Sequence, residues 1–342
     1  MNKKYLLIPI EVISRELDSR VLISLRLLML NPEWEIIIGK TNKVGDYWRN
    51  NSLKGKKFIY LSKGTIYSKL FYINLIKKGG YYFLLDEEGA IYSEYITKVL
   101  KRGGENNDLI QLMSKIFFWG ENTKKDYIAR HSKYLSNEKI EVTGNPRFDL
   151  CKKEYENFIN FKSKNIYKKN QFILIDTAFG MFNNIVDQKL EYEHWKSVKY
   201  EKNRGENDMS KWFQNFSPLY EYQKKIFPDF LDGIMHISNK FKDINFLIRP
   251  HPVENIETYS NYFKNIKNIK ITNDGTAIEK IIYSKLLIHN GCTTAIEALF
   301  HEIPSICFLP QFEKDKVQSL PREISFEVYD KFHLENKIND IF

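Results

Sequence analysis

Cysteine is nearly missing from this chain: Cys151, Cys292 and Cys307 are the only three in 342 residues, and no two form a CxxC pair. That excludes a disulfide framework and leaves no zinc spacing, so no metal is expected. Cys292 reads as a small buried thiol rather than a nucleophile, because no basic partner lies near it in sequence. Long apolar runs are missing too: none approaches the ~20 residues that a membrane-spanning helix needs. The apolar stretch behind Met1-Asn2-Lys3-Lys4 is too short for a secretory signal, which makes a cytoplasmic location the expectation. No RNP, zinc-finger or helix-turn-helix signature accompanies the 21 tyrosines, so nucleic acid is not an expected partner. No repeat of fixed short period is visible.

What is present suits a soluble globular protein: 43% of residues are apolar and 28% charged. A chain of 342 residues is long enough for two domains with separate cores. The formal charge of +9 is dispersed through Lys-rich segments at 54–57, 162–169 and 264–270. Such dispersion favours anionic ligands or the anionic inner face of the cytoplasmic membrane without choosing between them.

Apolar runs at 5–10, 35–39, 57–61, 81–85, 116–119 and 140–143 read as strands separated by helix or loop. The first is followed by a predicted helix with Leu17, Val21, Leu25 and Leu28 as its core stripe. This alternation predicts a parallel, doubly wound α/β sheet over residues 1–150. Gly144-Asn145-Pro146-Arg147 breaks the pattern, and a Lys- and Asn-rich stretch at 151–170 reads as the domain linker. A second α/β domain is expected over 171–342, with strands at 172–175, 246–248, 269–271, 286–288 and 305–308. Residues 184–217 have little strand character and read as an insertion or a lid. Two such halves predict an interdomain cleft, a preferred place for ligands.

Two corners of the second half carry the strongest chemistry. The strand at 246–248 runs into Arg249-Pro250-His251-Pro252-Val253-Glu254, where the prolines exclude regular helix and bias Arg249 and His251 toward extended backbone. Arg249 suits phosphate through its planar fork, and His251 suits phosphate or ribose, unless the prolines merely stiffen the loop. About one βαβ unit later, Ile288-His289-Asn290-Gly291-Cys292-Thr293-Thr294 leads from a strand into a helix that includes Glu297. Thr293 and Thr294 either cap that helix or, with its free N–H groups and dipole, hold a phosphate. Because ligands collect at the carboxyl edge of such sheets, the two corners together predict a donor-binding set of Arg249, His251, Pro252, Glu254, His289, Asn290, Thr293, Thr294 and Glu297. For His289, a purely structural role is the alternative.

Acidic and charged clusters mark the first half. The strand at 81–85 delivers Asp86, Glu87 and Glu88 to its carboxyl edge. A carboxylate there can act as a general base or a nucleophile; helix-dipole stabilisation is the alternative. Arg15, Glu16, Asp18 and Arg20 either bind an anionic ligand or form helix ion pairs. Asn145 and Arg147 are further candidates for ligand contact, or parts of a hinge.

In order along the chain, Ile8-Pro9-Ile10-Glu11, Arg15-Glu16-Leu17-Asp18-Ser19-Arg20, Leu85-Asp86-Glu87-Glu88-Gly89, Thr143-Gly144-Asn145-Pro146-Arg147-Phe148-Asp149, Arg249-Pro250-His251-Pro252 and Thr293-Thr294 form a combination. It resembles bacterial capsule and lipopolysaccharide glycosyltransferases related to enzymes that transfer Kdo and nonulosonic acids. The resemblance implies a GT-B fold of two Rossmann-like domains facing across a cleft, and a CMP-linked acidic sugar as donor substrate with no further cofactor. Pseudaminic and legionaminic acid are examples of such sugars. It implies a glycan or lipid-linked glycan acceptor, and contacts to the donor nucleotide from His251, Pro252, Thr293 and Thr294. Asp176-Thr177-Ala178-Phe179 departs from the Asn-rich turn expected of relatives, which puts any donor contact there in doubt. A UDP-sugar 2-epimerase, a CDP-polyol phosphotransferase and a noncatalytic sugar-nucleotide-binding protein remain the alternatives.

Overall fold

The computed structural model describes residues 3–50, 52–63, 68–86, 107–131, 133, 136–162, 172–186 and 206–342. Glu87, Glu88, much of the predicted linker and residues 187–205 lie outside the described residues. The chain divides into two compact units, with the change at Glu156 and Asn157.

The first unit holds one parallel sheet in the order β2-β1-β3-β4-β5-β6. Its strands are β1 (Lys4–Ile10), β2 (Trp34–Lys40), β3 (Phe58–Ser62), β4 (Gly80–Leu85), β5 (Lys115–Phe118) and β6 (Ile140–Val142). These are the six apolar runs read from the sequence. Runs such as Phe-Ile-Tyr-Leu form central parallel strands because both faces are covered, so apolar residues occur consecutively rather than alternately. One face packs around Tyr60, Tyr72 and Tyr82, the other around Leu6, Ile8 and Leu85.

The helix Ile13–Leu30 lies rotated from its predicted setting. Its buried residues are Glu16, Ser19, Arg20 and Ser24, while Val21 and Leu25 are 36% and 55% exposed. Glu16 explains the rotation. Its carboxylate accepts the backbone N–H groups of Glu11 and Val12 at 2.9 and 3.2 Å, and Lys63 Nζ at 2.7 Å. Meeting these donors at the helix start turns Glu16 inward, and Ile23 and Leu27 become the apolar residues that pack on the sheet.

The second unit has a sheet in the order β12-β11-β10-β7-β8-β9, again parallel throughout. Its strands are β7 (Phe172–Asp176), β8 (Asn245–Arg249), β9 (Ile269–Ile271), β10 (Ser284–His289), β11 (Ser305–Phe308) and β12 (Phe326–Val328). The last was not anticipated from sequence. It is a three-residue edge strand in which only Val328 is fully buried. In the stretch read as an insertion or lid, residues from Glu206 belong to a helix that continues to Lys240. Among the described residues, no helix is long and apolar enough to cross a membrane.

Candidate functional site

Both sheets reverse their winding direction at one point, and such points open a crevice at the carboxyl ends of the strands. In the second unit the reversal lies between β7 and β10, with β8 on the other side of β7. Strand register aligns Asp176 at the end of β7 with Arg249 at the end of β8 and with His289 at the end of β10. Three polar residues therefore end adjacent strands, and the loops behind them carry the sequence-predicted candidates.

Those loops are stitched together by buried hydrogen bonds. Glu254 accepts from Thr177 Oγ1 and Phe179 N at 2.9 Å, from His251 N at 3.2 Å, and from the Tyr259 hydroxyl. Burial pushes its carboxyl up to about 7, against the four hydrogen bonds, which favour the charged form. Glu254 thereby ties the loop after β7 to the loop after β8. Asn290 makes the link on the other side, its Oδ1 accepting Ala178 N–H at 2.7 Å. Gly180 completes the close approach, since a Cβ there would stand 2.7 Å from Val253 Cγ2.

His289 is fully buried and stays neutral. Its Nδ1 accepts Gly291 and Cys292 N–H at 3.1 and 3.2 Å, which leaves Nε2 as the protonated nitrogen, donating to Ser325 Oγ at 2.9 Å. Burial lowers its pKa to about 3. In this geometry the ring orients the turn that follows it. Gly291 has φ +97°, and a Cβ there would meet Val317 Cγ1 at 2.9 Å, so glycine is required by conformation and protein packing. Thr293 and Thr294 make no side-chain hydrogen bond that caps the helix Thr294–Phe300. Thr293 is half-buried, and the buried Thr294 Oγ1 has no hydrogen-bond partner.

Beneath these loops is a buried mixed-charge group: Asp176, Arg249, Lys280 and Glu297. Burial raises the Asp176 pKa, an effect that the nearby Arg249 charge opposes and Glu297 reinforces. Burial and Arg249 together lower that of Lys280. Both Asp176 carboxylate oxygens and Arg249 Nε lack hydrogen-bond partners; Thr294 lies beside Asp176 without meeting hydrogen-bond geometry. Unmet buried donors and acceptors are costly, and these lie at the carboxyl edge of the sheet. His251 and Pro252 stand above it, half-buried, with His251 Nδ1 accepting Val253 N–H at 3.3 Å.

In the first unit the reversal falls between β1 and β3. There Lys63 bridges Glu11 at 2.8 Å and Glu16 at 2.7 Å. Burial opposes ionisation of Glu16, but the Lys63 hydrogen bond and backbone donors leave its pKa lowered. Arg20 is buried, while Arg15 and Asp18 are half-buried. Asp86 follows β4, and its carbonyl accepts from Trp119 Nε1 and from Asn145 Nδ2. Asn145 also caps the turn Pro146–Asp149 by accepting Arg147 N–H at 2.9 Å. Asp86, Asn145 and Arg147 thus belong to one corner of this unit, whereas Glu16 belongs to the switch-point corner.

Asp176, Lys63 and Lys280 were not among the candidates read from sequence. Asp176 and Lys63 carried a usable signal, since each stands at or just beyond the end of an apolar strand. Lys280 sits in the short helix Ile278–Ile281, and nothing local marks it.

No protein-family model matches the chain, and no curated protein matches it. Solved structures do. The UDP-GlcNAc 2-epimerase from Neisseria meningitidis, bound to UDP-GlcNAc, is similar with TM-score 0.55 and 11% identity, over 99% of this chain and 91% of that one. The UDP-GlcNAc 2-epimerase from Methanocaldococcus jannaschii aligns with TM-score 0.54 and 13% identity, over 98% and 92%. The wall teichoic acid polymerase TagF aligns with TM-score 0.55 and 12% identity, over 99% and 79%. The fold is GT-B-like. Each of its two parallel α/β units has the winding expected of a Rossmann-like half.

Proposed function

We propose that this chain is a sugar-nucleotide enzyme, and more specifically a glycosyltransferase that moves an acidic sugar from a CMP donor to a surface glycan. The observation that carries the nucleotide reading is the unmet pair Arg249 Nε and Thr294 Oγ1, buried at an edge whose loops Glu254 and Asn290 hold together. A phosphate supplies acceptor oxygens for both donors, with His251 and Thr293 as further contacts. The likeness to enzymes of nucleotide-linked sugars and to a teichoic acid polymerase supports a role in surface-carbohydrate synthesis.

In the proposed reaction the acceptor hydroxyl oxygen bonds to the anomeric carbon as the carbon–oxygen bond to CMP phosphate breaks. The phosphate leaves with the bonding pair, and Asp86, with Glu87 and Glu88 as rivals, takes the hydroxyl proton. Arg249 stabilises the charge that develops on the departing phosphate, a role that needs no metal. Arg15 and Arg147 are proposed contacts for the sugar carboxylate or the glycan acceptor.

A second reading has a specific ground. Several of the similar structures are UDP-GlcNAc 2-epimerases, and the teichoic acid polymerase has been soaked with CDPG. Epimerisation of a UDP-sugar and transfer from a CDP-polyol therefore stand as alternatives. Incubation with CMP-linked acidic sugar plus a glycan acceptor, and separately with UDP-GlcNAc and CDP-glycerol, tests the choice. Release of CMP with glycan elongation supports the leading reading; turnover of UDP-GlcNAc alone replaces it. Nucleotide binding without turnover of any of the three identifies a noncatalytic binder.

A further inference from the structure

At the amino edge of the first sheet, away from the strand ends discussed above, the turns before β3 and β4 enclose a concavity of about 370 Å³. Its wall carries Lys54, Lys56, Lys57, Lys77 and Lys78, over a floor that includes Trp48 and Phe58. No carboxylate lines it among the described residues. Elsewhere on this unit Lys3, Lys4, Lys63 and Lys115 each pair with a carboxylate within 3.0 Å. Lys54, Lys57 and Lys77 are exposed at this hollow, and their combined positive charge favours an anion.

The turns that hold these lysines are fixed. Gly55 and Gly79 have φ of +74° and +89°, and a Cβ on Gly79 would lie 2.8 Å from Lys56 O. Phe58 N donates to Gly79 O at 3.2 Å, joining the turns. Lys56 Nζ donates to the Tyr5 hydroxyl at 2.8 Å, and Lys78 Nζ to Arg49 O at 2.6 Å. A second hollow of about 440 Å³ shares Lys57 and Gly79 with the first and is lined chiefly by apolar groups, among them Leu112 and Met113. At its rim Ile76 and Tyr81 are 43% and 41% exposed. Cationic and apolar hollows side by side match an anionic phosphate head next to hydrocarbon.

We propose that this amino edge docks on a membrane surface rich in anionic phospholipid, with lipid phosphates in the lysine hollow and Ile76 and Tyr81 at the interface. The inference is independent of the sugar-nucleotide reading.

Co-sedimentation tests it with vesicles of equimolar phosphatidylglycerol and phosphatidylcholine, and with phosphatidylcholine alone. The protein is expected to bind the anionic vesicles, to ignore the neutral ones, and to release as salt is raised. Replacing Lys54, Lys57 and Lys77 by Gln, all exposed, is expected to weaken binding roughly fivefold per lysine, on the order of a hundredfold together. Removing the same charge at Lys264, Lys267 and Lys270 in the second unit should leave binding within about twofold if the hollow is the determinant. Equal losses in the two triple variants, equal binding to both vesicle types, or no vesicle binding would overturn the proposal. Millimolar inorganic phosphate that changes Trp48 fluorescence in a protein that ignores vesicles would identify a soluble-anion site instead.

Discussion

Asn290 and Ala178 face each other across the point where the second sheet reverses its winding, the Asn290 Oδ1 accepting Ala178 N–H at 2.7 Å. This one bond fixes the spacing between the turn after β7 and the turn that presents Thr293 and Thr294. Asn290→Ala leaves the Ala178 N–H without its partner and is expected to lower stability by about 1–3 kcal/mol. Chemical denaturation measures that loss, and nucleotide affinity should fall with it, because both loops lose their relative position.

Thr294→Val separates binding from stability. The Thr294 hydroxyl is buried without a hydrogen-bond partner, so an isosteric methyl is expected to leave the melting temperature unchanged or raised. Nucleotide affinity should fall by about tenfold, the worth of one hydrogen bond to a charged phosphate. A variant that binds nucleotide as well as the native chain removes Thr294 from the phosphate site.

Acid and base act on this corner in opposite directions. Glu254, raised from 4.5 to about 7, binds a proton more readily in the folded protein, so its contribution to stability is present below about pH 4.5 and lost as pH rises through 7. His289, lowered from 6.5 to about 3, contributes above about pH 6.5 and loses that contribution as pH falls toward 3. The limiting sizes are on the order of 3 kcal/mol for Glu254 and 5 kcal/mol for His289. Thermal melts across pH should show Glu254→Gln weakening the loss on the alkaline side, and His289→Gln weakening the loss on the acid side.

Asp86→Asn keeps the backbone carbonyl that Trp119 and Asn145 bind and a side chain of the same shape. If Asp86 is the proton acceptor, transfer should fall by at least about a hundredfold with nucleotide binding unchanged. Steady-state transfer rates beside binding isotherms check both halves of that statement. Full activity in the variant would direct attention to Glu87 and Glu88.

Much of the fold was legible because covered parallel strands are largely apolar, and eleven of the twelve described strands were read that way, Ile140–Val142 and Ile269–Ile271 from branched apolar residues on either side of a charged one. Phe326–Val328 was not read, although it has the same length and charged centre as those two. The helix Ile13–Leu30 was misread in rotation because periodicity counted Val21 and Leu25 as core, whereas the donors at Glu11, Val12 and Lys63 required Glu16 inside. At the second sheet's edge, the two candidate corners could be read from proline, glycine and hydroxyl residues at strand ends. Glu254 and His289 were legible as neighbours of a site, but their hydrogen bonds were not. Those bonds depend on which loops the sheet order brings together. Asp176 ends an apolar strand, which was a usable signal, but its partner charge comes only from the register with Arg249.

Calorimetric titration of the native chain with CMP, CDP and UDP tests the central claim most directly, with an Arg249→Met, Thr294→Val double variant alongside. The account predicts that at least one pyrimidine nucleotide binds below millimolar concentration, with CMP preferred under the leading reading, and that the double variant weakens it by about a hundredfold. No heat of binding for any of the three at millimolar concentration, or equal affinity in the double variant, would contradict a nucleotide-phosphate site at this edge.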